Sequence, residues 1–226
     1  MASSFQNISP ESMKSHLKLY FVMGSVNCLK HPVEVLSEAI KGGITMFQYR
    51  EKGNGALQGE EKLQLGKKLQ SLCKQNDIPF IVNDDINLAL ELDADGIHIG
   101  QEDGDISKTR KLIGTKILGV STHDLFEATE AVGLGANYIG VGPMYETTTK
   151  LDTNEVAGPD MIRQLRQNNI EIPIVGIGGI NQNNIKSVIK AGADGVALIS
   201  AISSLNHPRE ASSKLIETIN DSYTNE

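Results

Sequence analysis

The chain has 226 residues, of which 39% are hydrophobic and 22% are charged, and its formal net charge is −7. This length suits one large domain or two small ones, and this composition excludes a chain that is mainly disordered. The negative charge and the lack of a long basic stripe argue against nucleic acid as a partner. The two cysteines, Cys28 and Cys73, are too few for a disulfide scaffold or a cysteine zinc site.

The N-terminal residues predict neither a signal peptide nor a folded element. The segment MASSFQNISPESMK lacks the apolar stretch of a secretory signal. Further along, the longest nearly apolar stretch, Ile172–Ile180, is far too short to cross a bilayer. We therefore expect a cytoplasmic protein with no membrane partner, in which residues 1–16 form a flexible extension.

Eight short apolar runs alternate with amphipathic stretches along the rest of the chain. They are rich in Ile and Val and are bounded by Gly, Pro, Asp or Asn, which is typical of buried parallel strands. The predicted strands are Leu17–Met23, Ile44–Tyr49, Pro79–Asn83, Gly96–Ile99, Lys116–Val120, Tyr138–Val141, Ile172–Ile177 and Gly195–Ile199.

The stretches between the runs predict helices. Val33, Leu36 and Ile40, for example, are spaced three and four apart. Eight strand–helix units fit a single-domain α/β fold, the (β/α)₈ TIM barrel, over residues 17–226. A doubly wound open sheet is the alternative, but Met23–Asn27 lacks the glycine-rich turn that such sheets carry after the first strand. Barrels of this size often pair, so the sequence leaves open whether the protein is a homo-oligomer.

Polar residues follow the second predicted strand, and in a TIM barrel the carboxyl ends of the strands form the active site. Strand alternation places Gln48, Arg50 and Lys52 on one side of the chain. A glutamine and two cations at the barrel mouth favour an anionic ligand with a hydrogen-bonding ring. A surface cluster of salt bridges is the alternative.

Carboxylates follow the third and fourth strands, which are neighbours in a barrel. Asp84 and Asp85 come after Asn83, and Asp103 comes after the fourth strand. Two carboxylates from adjacent strand ends suit Mg²⁺, which takes one or two of them and completes its shell with phosphate and water. Alternatively, Asp84 or Asp85 caps the next helix, and Asp85 is better placed to do so.

The loops after the last three strands are typical of phosphate binding. Gly142–Lys150 carries hydroxyls and one lysine, and could close on a phosphorylated substrate or be a solvated turn. Gly176–Asn181 and Ile199–Ile202 follow strands 7 and 8, where barrels often bind phosphate through backbone N–H groups. A glycine turn without a ligand is the alternative. His98 fits a buried structural histidine better than a proton shuttle, and His123 fits a helix start.

These residues predict a barrel mouth with one site for a diphosphate and one for a monophosphate, and hence group transfer with diphosphate as the leaving group. In order and spacing they resemble the thiamine phosphate synthase (thiamine-phosphate pyrophosphorylase) family over roughly residues 17–220. The matching motifs are Gln48–Lys52, Pro79–Asp84, Gly96–Asp103, Gly142–Lys150 and Val175–Ile180.

The family joins hydroxymethylpyrimidine diphosphate to hydroxyethylthiazole phosphate, giving thiamine phosphate and diphosphate. The resemblance therefore implies two small phosphorylated substrates and Mg²⁺ as the cofactor, with catalytic roles for Arg50, Lys52, Lys150 and Ser121. The implied contacts are Gln48 and Ser121 with the pyrimidine; Arg50, Lys52, Asn83 and Lys150 with the diphosphate; Asp84 and Asp103 with Mg²⁺; and Thr147, Thr149, Gly179, Ile199 and Ser200 with the thiazole phosphate.

Three other functions are compatible with parts of the pattern. A thiazole tautomerase would need only the phosphate site and a histidine as proton shuttle, so the set of Asp84, Asp103 and Lys52 disfavours it. An isomerase of sugar phosphates is disfavoured by the segment Gln48–Lys52. A non-catalytic regulator that kept the pocket would not need the pair of carboxylates.

Overall fold

The computed structural model describes residues 5–147 and 156–224. Eight parallel strands form a closed barrel in chain order, and the last strand pairs with the first. The strands are β1 (Leu19–Met23), β2 (Met46–Tyr49), β3 (Phe80–Asn83), β4 (Gly96–Ile99), β5 (Ile117–Thr122), β6 (Tyr138–Val141), β7 (Ile174–Ile177) and β8 (Gly195–Leu198).

Helices connect the strands around the outside of the barrel, with one helix before β1 and two after β8. They are α1 (Pro10–Leu17), α2 (Pro32–Lys41), α3 (Gly59–Gln75), α4 (Ile86–Glu91), α5 (Ile106–Ile113), α6 (Leu125–Gly133), α7 (Gly158–Gln167), α8 (Ile185–Lys190), α9 (Ser200–Ser203) and α10 (Pro208–Thr224). Within residues 5–147 and 156–224, none of these helices is both long and apolar enough to cross a bilayer.

The structure confirms the predicted (β/α)₈ barrel and excludes the open sheet, because Tyr20 of β1 pairs with Ala197 of β8. Most strands begin one or two residues later than predicted. At the first strand this happens because Leu17 ends α1. Strand β5 continues two residues beyond its predicted end, to Thr122.

Alternate residues of each strand enter two separate cores, as the strand pattern requires. Phe47 and Tyr49 pack between the barrel and its helices. Met46 packs inside the barrel, and Gln48 is buried there with its amide in contact with Tyr20. The prediction that Gln48 lies on the interior side is therefore confirmed.

The segment that was expected to be a flexible extension forms helix α1 from residue 10 onwards. Ser9 caps this helix by accepting a hydrogen bond from the Ser12 N–H, and Pro10 begins it. Met13 and Leu17, four residues apart, join the interior core and cover the amino-terminal end of the barrel. Two turns of helix give too little periodicity to be recognised in the sequence, and the apolar barrel end stabilises them.

Met13→Ala is expected to lower the free energy of unfolding by about 2–4 kcal/mol, because it leaves a cavity beneath the interior core. Turnover should not change, since α1 lies at the end of the barrel away from the strand carboxyl ends. Denaturant unfolding measures the loss of stability, and Ser15→Ala on the exposed side of α1 is the matched control. Equal stability of the two variants would contradict this role for α1.

Candidate active site

A cavity of about 780 Å³ opens at the carboxyl ends of β5 to β8. This volume is within the range of small-molecule sites, and the position is where TIM barrels hold their active sites. Residues predicted to contact the substrates lie in its wall. They are Ser121, Thr147, Gly179, Ile199 and Ser200.

The glycine turn after β7 closes one side of this cavity against the loop after β6. The Tyr145 N–H donates to the Gly178 carbonyl over 3.0 Å. Gly179 has φ +65°, and a Cβ atom there would lie 2.6 Å from the Glu146 carbonyl oxygen. Only glycine fits this close approach. The turn brings Thr147 and Gly179 to one wall, whereas Thr149 and Lys150 lie outside the described residues.

The end of β2 carries the predicted cationic residues. Arg50 is only 7% exposed, and its backbone N–H donates to the Met23 carbonyl over 2.9 Å. Glu51 points to the other side, where its carboxylate accepts hydrogen bonds from the Ser25 and Leu57 N–H groups. These bonds tie the turn after β2 to the turn after β1, and so fix the chain that carries Arg50 and Lys52.

Lys52 brings the two predicted metal carboxylates together. Its Nζ lies 3.0 Å from Oδ2 of Asp84 and 3.6 Å from Oδ1 of Asp103. Burial raises the pKa of the Asp84 carboxyl, the hydrogen bond from Lys52 lowers it, and the nearby charge of Asp103 raises it again. The two carboxylates therefore face one cation from the ends of adjacent strands.

Backbone geometry assigns different tasks to the two consecutive aspartates after β3. Asp84 has φ +60°, and its N–H donates to the His98 carbonyl over 2.8 Å. Asp85 instead caps α4 by accepting from the Leu88 N–H, and it pairs with Lys62 at 2.7 Å. The structure thus confirms the helix-cap alternative for Asp85 and leaves Asp84 at the barrel mouth beside Asn83.

Among residues 5–147 and 156–224, no group of three or more His, Cys, Asp or Glu side chains converges to hold a metal ion. Within these ranges no third such side chain joins the predicted metal carboxylates Asp84 and Asp103. Asp103 is oriented by the Gly100 N–H, which donates to its Oδ2 over 3.1 Å.

Inside the barrel, buried hydrogen bonds connect Gln48 to Ser121. His98, which is only 8% exposed, contacts both Ser121 and Tyr138, so the prediction of a buried, hydrogen-bonded histidine is confirmed. Tyr20 and Tyr138 were missed by the sequence analysis. Strand alternation could have indicated them, because it places each tyrosine at an interior position of its strand. A tyrosine hydroxyl that is buried there needs a hydrogen-bond partner.

His123 has the predicted role at a helix start. Its N–H and its Nδ1 both contact Oε2 of Glu127 in α6, at 2.7 and 2.9 Å. The cap itself is Asp124. His123 also lies in the wall of the cavity.

A family model described as thiamine monophosphate synthase matches residues 19–202 of the chain. The chain belongs to the thiamine monophosphate synthase family. The match runs from the first residue of β1 into α9, and so contains every strand of the barrel and every predicted site residue.

Similar proteins agree with this family. The chain is 54% identical over 215 residues to a thiamine-phosphate synthase of Bacillus cereus (strain 03BB102), covering 95% of this chain and 98% of that protein. It is 52% identical over 214 residues to a thiamine-phosphate synthase of Geobacillus thermodenitrificans (strain NG80-2), with 95% and 97% covered. Among solved structures, a thiamine phosphate pyrophosphorylase from Pyrococcus furiosus superposes with a TM-score of 0.84 at 35% identity, covering 93% of this chain and 98% of that one.

Proposed function

We propose that this member of the family condenses 4-amino-2-methyl-5-(diphosphooxymethyl)pyrimidine with 4-methyl-5-(2-phosphooxyethyl)thiazole, giving thiamine phosphate and diphosphate. Family membership gives thiamine phosphate synthesis as the activity. The observation that carries the residue assignment is a barrel mouth with cations and carboxylates at β2 to β4 and a glycine-rich cavity at β5 to β8. This division matches a diphosphate on one side and a monophosphate on the other.

The proposed chemistry begins with departure of the diphosphate. The bond between the methylene carbon and the diphosphate oxygen breaks, and its electron pair leaves with the diphosphate. The pyrimidine methylene cation that remains is stabilised by electron donation from the ring amino group. The lone pair of the thiazole nitrogen then forms the new C–N bond. This route needs a stabilised leaving group and aligned partners rather than a strong base.

We assign stabilisation of the leaving group to the side chains at the ends of β2 and β3. Arg50 and Lys52 oppose the charge that develops on the diphosphate, with Asn83 as a hydrogen-bond donor. Burial of Arg50 strengthens its interaction with an anion, because the local dielectric constant is lower than in water. Lys150 and Thr149, which lie outside the described residues, remain predicted contacts of the diphosphate and of the thiazole phosphate.

The carboxylates of Asp84 and Asp103 fit Mg²⁺. They are hard oxygen donors, they come from adjacent strand ends, and both already lie against the ammonium group of Lys52. A pair of carboxylates is the usual protein share of a magnesium site that substrate phosphate completes. When bound, Mg²⁺ supplies neutralisation of the diphosphate charge.

We place the thiazole phosphate in the 780 Å³ cavity. Gly179 lets the phosphate approach the backbone of the turn after β7, and Ser200 follows β8 on the same wall. The remaining described contacts are Thr147 and Ile199. Ser121, at the end of β5, lies in this wall and also contacts His98 inside the barrel. This supports a position for the pyrimidine between the two sides.

Gly179→Ala is expected to raise the KM for the thiazole phosphate about tenfold or more, with a smaller effect on the KM for the pyrimidine diphosphate. The new Cβ would lie 2.6 Å from the Glu146 carbonyl oxygen, at a backbone conformation that alanine disfavours, so the turn must move. Steady-state kinetics with each substrate varied in turn measures the difference.

Gly133→Ala is the matched control for this substitution. Gly133 ends α6, and a Cβ there meets no atom within 4 Å. The control should keep both KM values. An unchanged KM for the thiazole phosphate in folded Gly179→Ala protein would remove Gly179 from the phosphate site.

The test of the proposed function mixes the purified protein with Mg²⁺ and both substrates. The product is oxidised to fluorescent thiochrome phosphate, and EDTA and omission of each substrate are the controls. Fluorescence that requires both substrates and disappears with EDTA is the expected result. Folded protein that forms no product would contradict the proposal, and turnover that persists in EDTA would contradict the magnesium site alone.

A further inference from the structure

Four hydrogen bonds form a continuous chain across the interior of the barrel. Gln48 Nε2 lies 2.7 Å from the Tyr20 hydroxyl, which lies 2.8 Å from the Tyr138 hydroxyl. The Tyr138 hydroxyl lies 2.9 Å from Nδ1 of His98, and Nε2 of His98 lies 2.9 Å from Oγ of Ser121. We call these five residues the interior relay. It joins side chains of five strands, and both of its ends are residues assigned above to the pyrimidine.

The direction of one hydrogen bond sets the direction of all the others. The Gln48 amide N–H donates to the Tyr20 hydroxyl. The Tyr138 hydroxyl is the other hydrogen-bond partner found for the Tyr20 hydroxyl, so we infer that Tyr20 donates its proton to Tyr138. By the same reasoning Tyr138 donates to Nδ1 of His98, and a neutral His98 then carries its proton on Nε2 and donates it to Oγ of Ser121. The Ser121 oxygen therefore accepts inside the relay, and its own O–H points elsewhere. Ser121 lines the cavity, so we infer that its O–H is available to donate a hydrogen bond to a ligand there.

The burial of the relay favours these hydrogen-bond directions. Tyr20 and Tyr138 are buried, and burial raises the pKa of each hydroxyl, so both keep their protons. A donor left without an acceptor here would cost a full desolvation penalty, which disfavours any arrangement that breaks the sequence of donors.

Glycines of two strands make room for the relay. A Cβ on Gly119 of β5 would lie 2.2 Å from Cζ of Tyr138 and 2.5 Å from Nδ1 of His98. A Cβ on Gly140 of β6 would lie 3.2 Å from Cε1 of His98. A strand interior normally disfavours glycine, and here its small size allows the tyrosine and the histidine to meet.

We propose that His98, Tyr138 and Tyr20 are positioning residues that hold the Ser121 hydroxyl as a hydrogen-bond donor to the substrate ring. The same order leaves the carbonyl oxygen of the Gln48 amide as an acceptor at the other end. An aminopyrimidine carries an amino donor and ring nitrogen acceptors, so it suits this pair. A pyrimidinone, with a carbonyl and a ring N–H, has the opposite pattern. The inference rests on the proposed function for the identity of the ring.

The tautomer of His98 tests the direction of the relay without substrate. Heteronuclear NMR of protein labelled with ¹⁵N-histidine distinguishes Nδ1–H from Nε2–H, and loss of a resonance in His98→Gln identifies His98 among the five histidines. The wild-type protein should show Nε2–H alone. Tyr138→Phe removes the donor to Nδ1 and should give a mixture of tautomers. Tyr223→Phe, which removes a hydroxyl on α10 outside the barrel, is the control and should match the wild type.

An Nδ1–H tautomer in the wild type would overturn the proposal, because the direction of each hydrogen bond between His98 and Gln48 would then be reversed. A Tyr138→Phe spectrum identical to that of the wild type would also overturn it, because Tyr138 would not hold the histidine. Neither result depends on turnover, so failure of the relay and failure of the proposed function are distinguishable.

Kinetics separates positioning from a merely structural role. Tyr138→Phe should raise the KM for the pyrimidine diphosphate about tenfold, which is the size of one neutral hydrogen bond. The KM for the thiazole phosphate should stay within about twofold, since no member of the relay except Ser121 lines the cavity. Equal changes in both KM values, or no change in either, would overturn the positioning role.

Discussion

Asp84→Asn is expected to lower the turnover of thiamine phosphate synthesis at least about a thousandfold and to abolish its response to Mg²⁺. The substitution keeps the shape of the side chain but removes one of the two carboxylates that face Lys52. In the proposed metal site Asp103 alone then has to hold the ion, so we expect the diphosphate to leave without full neutralisation of its charge. Initial rates measured over a series of Mg²⁺ concentrations test this.

The neighbouring residue provides a matched control. Asp85→Asn removes the same charge one position along the chain, but Asp85 caps α4 and pairs with Lys62 rather than with Lys52. Asparagine is an equally good helix cap, so this variant should keep its metal-dependent rate. A normal metal-dependent rate in Asp84→Asn would instead exclude Asp84 from the metal site.

Arg50→Ala has the second largest expected effect. Turnover should fall about a thousandfold and the KM for the pyrimidine diphosphate should rise, because the substitution removes the buried arginine that we propose to contact the leaving group. Arg50→Lys should lie between the wild type and Arg50→Ala, since lysine keeps the charge but not the two-pronged geometry. Steady-state kinetics of the three proteins, with the pyrimidine diphosphate varied at saturating thiazole phosphate, measures the series.

Arg163→Ala is the control, because this substitution also removes an arginine. Arg163 lies on the exposed surface of α7, where it pairs with Asp160. Arg163→Ala should keep wild-type kinetics. If Arg50→Ala raised the KM for both substrates equally and left turnover unchanged, Arg50 would have a general structural role and would not contact the leaving group.

The barrel could be predicted from the sequence because its parallel strands are buried on both faces, so each gives a continuous apolar run. The strand ends followed from the same runs, and this placed Gln48, Arg50 and Asp84 at one mouth. Helix α1 could not be predicted, because Met13 and Leu17 become buried only against the apolar end of the closed barrel.

Contacts within the site depended on features that the sequence does not encode locally. Asp84 has a left-handed backbone and its carboxylate contacts Lys52. Aspartate tolerates this conformation, but its neighbour Asp85 is the same residue type, so the sequence does not show which of the two adopts it. The relay joins Tyr20 and Tyr138, which are 118 positions apart. Strand alternation puts both inside the barrel, but only the closed geometry brings the two hydroxyls into contact.

Pairing of β1 with β8 has a consequence for how the chain folds. The two strands that close the barrel are far apart in the chain, since Leu19 pairs with Val196. Closure therefore carries a high contact order and is expected to be slow. During synthesis, β1 keeps an unpaired edge until residues 195–198 have been made. An exposed edge strand can pair with another chain and so favours aggregation. Chains that end before β8 should therefore aggregate rather than form a smaller folded unit.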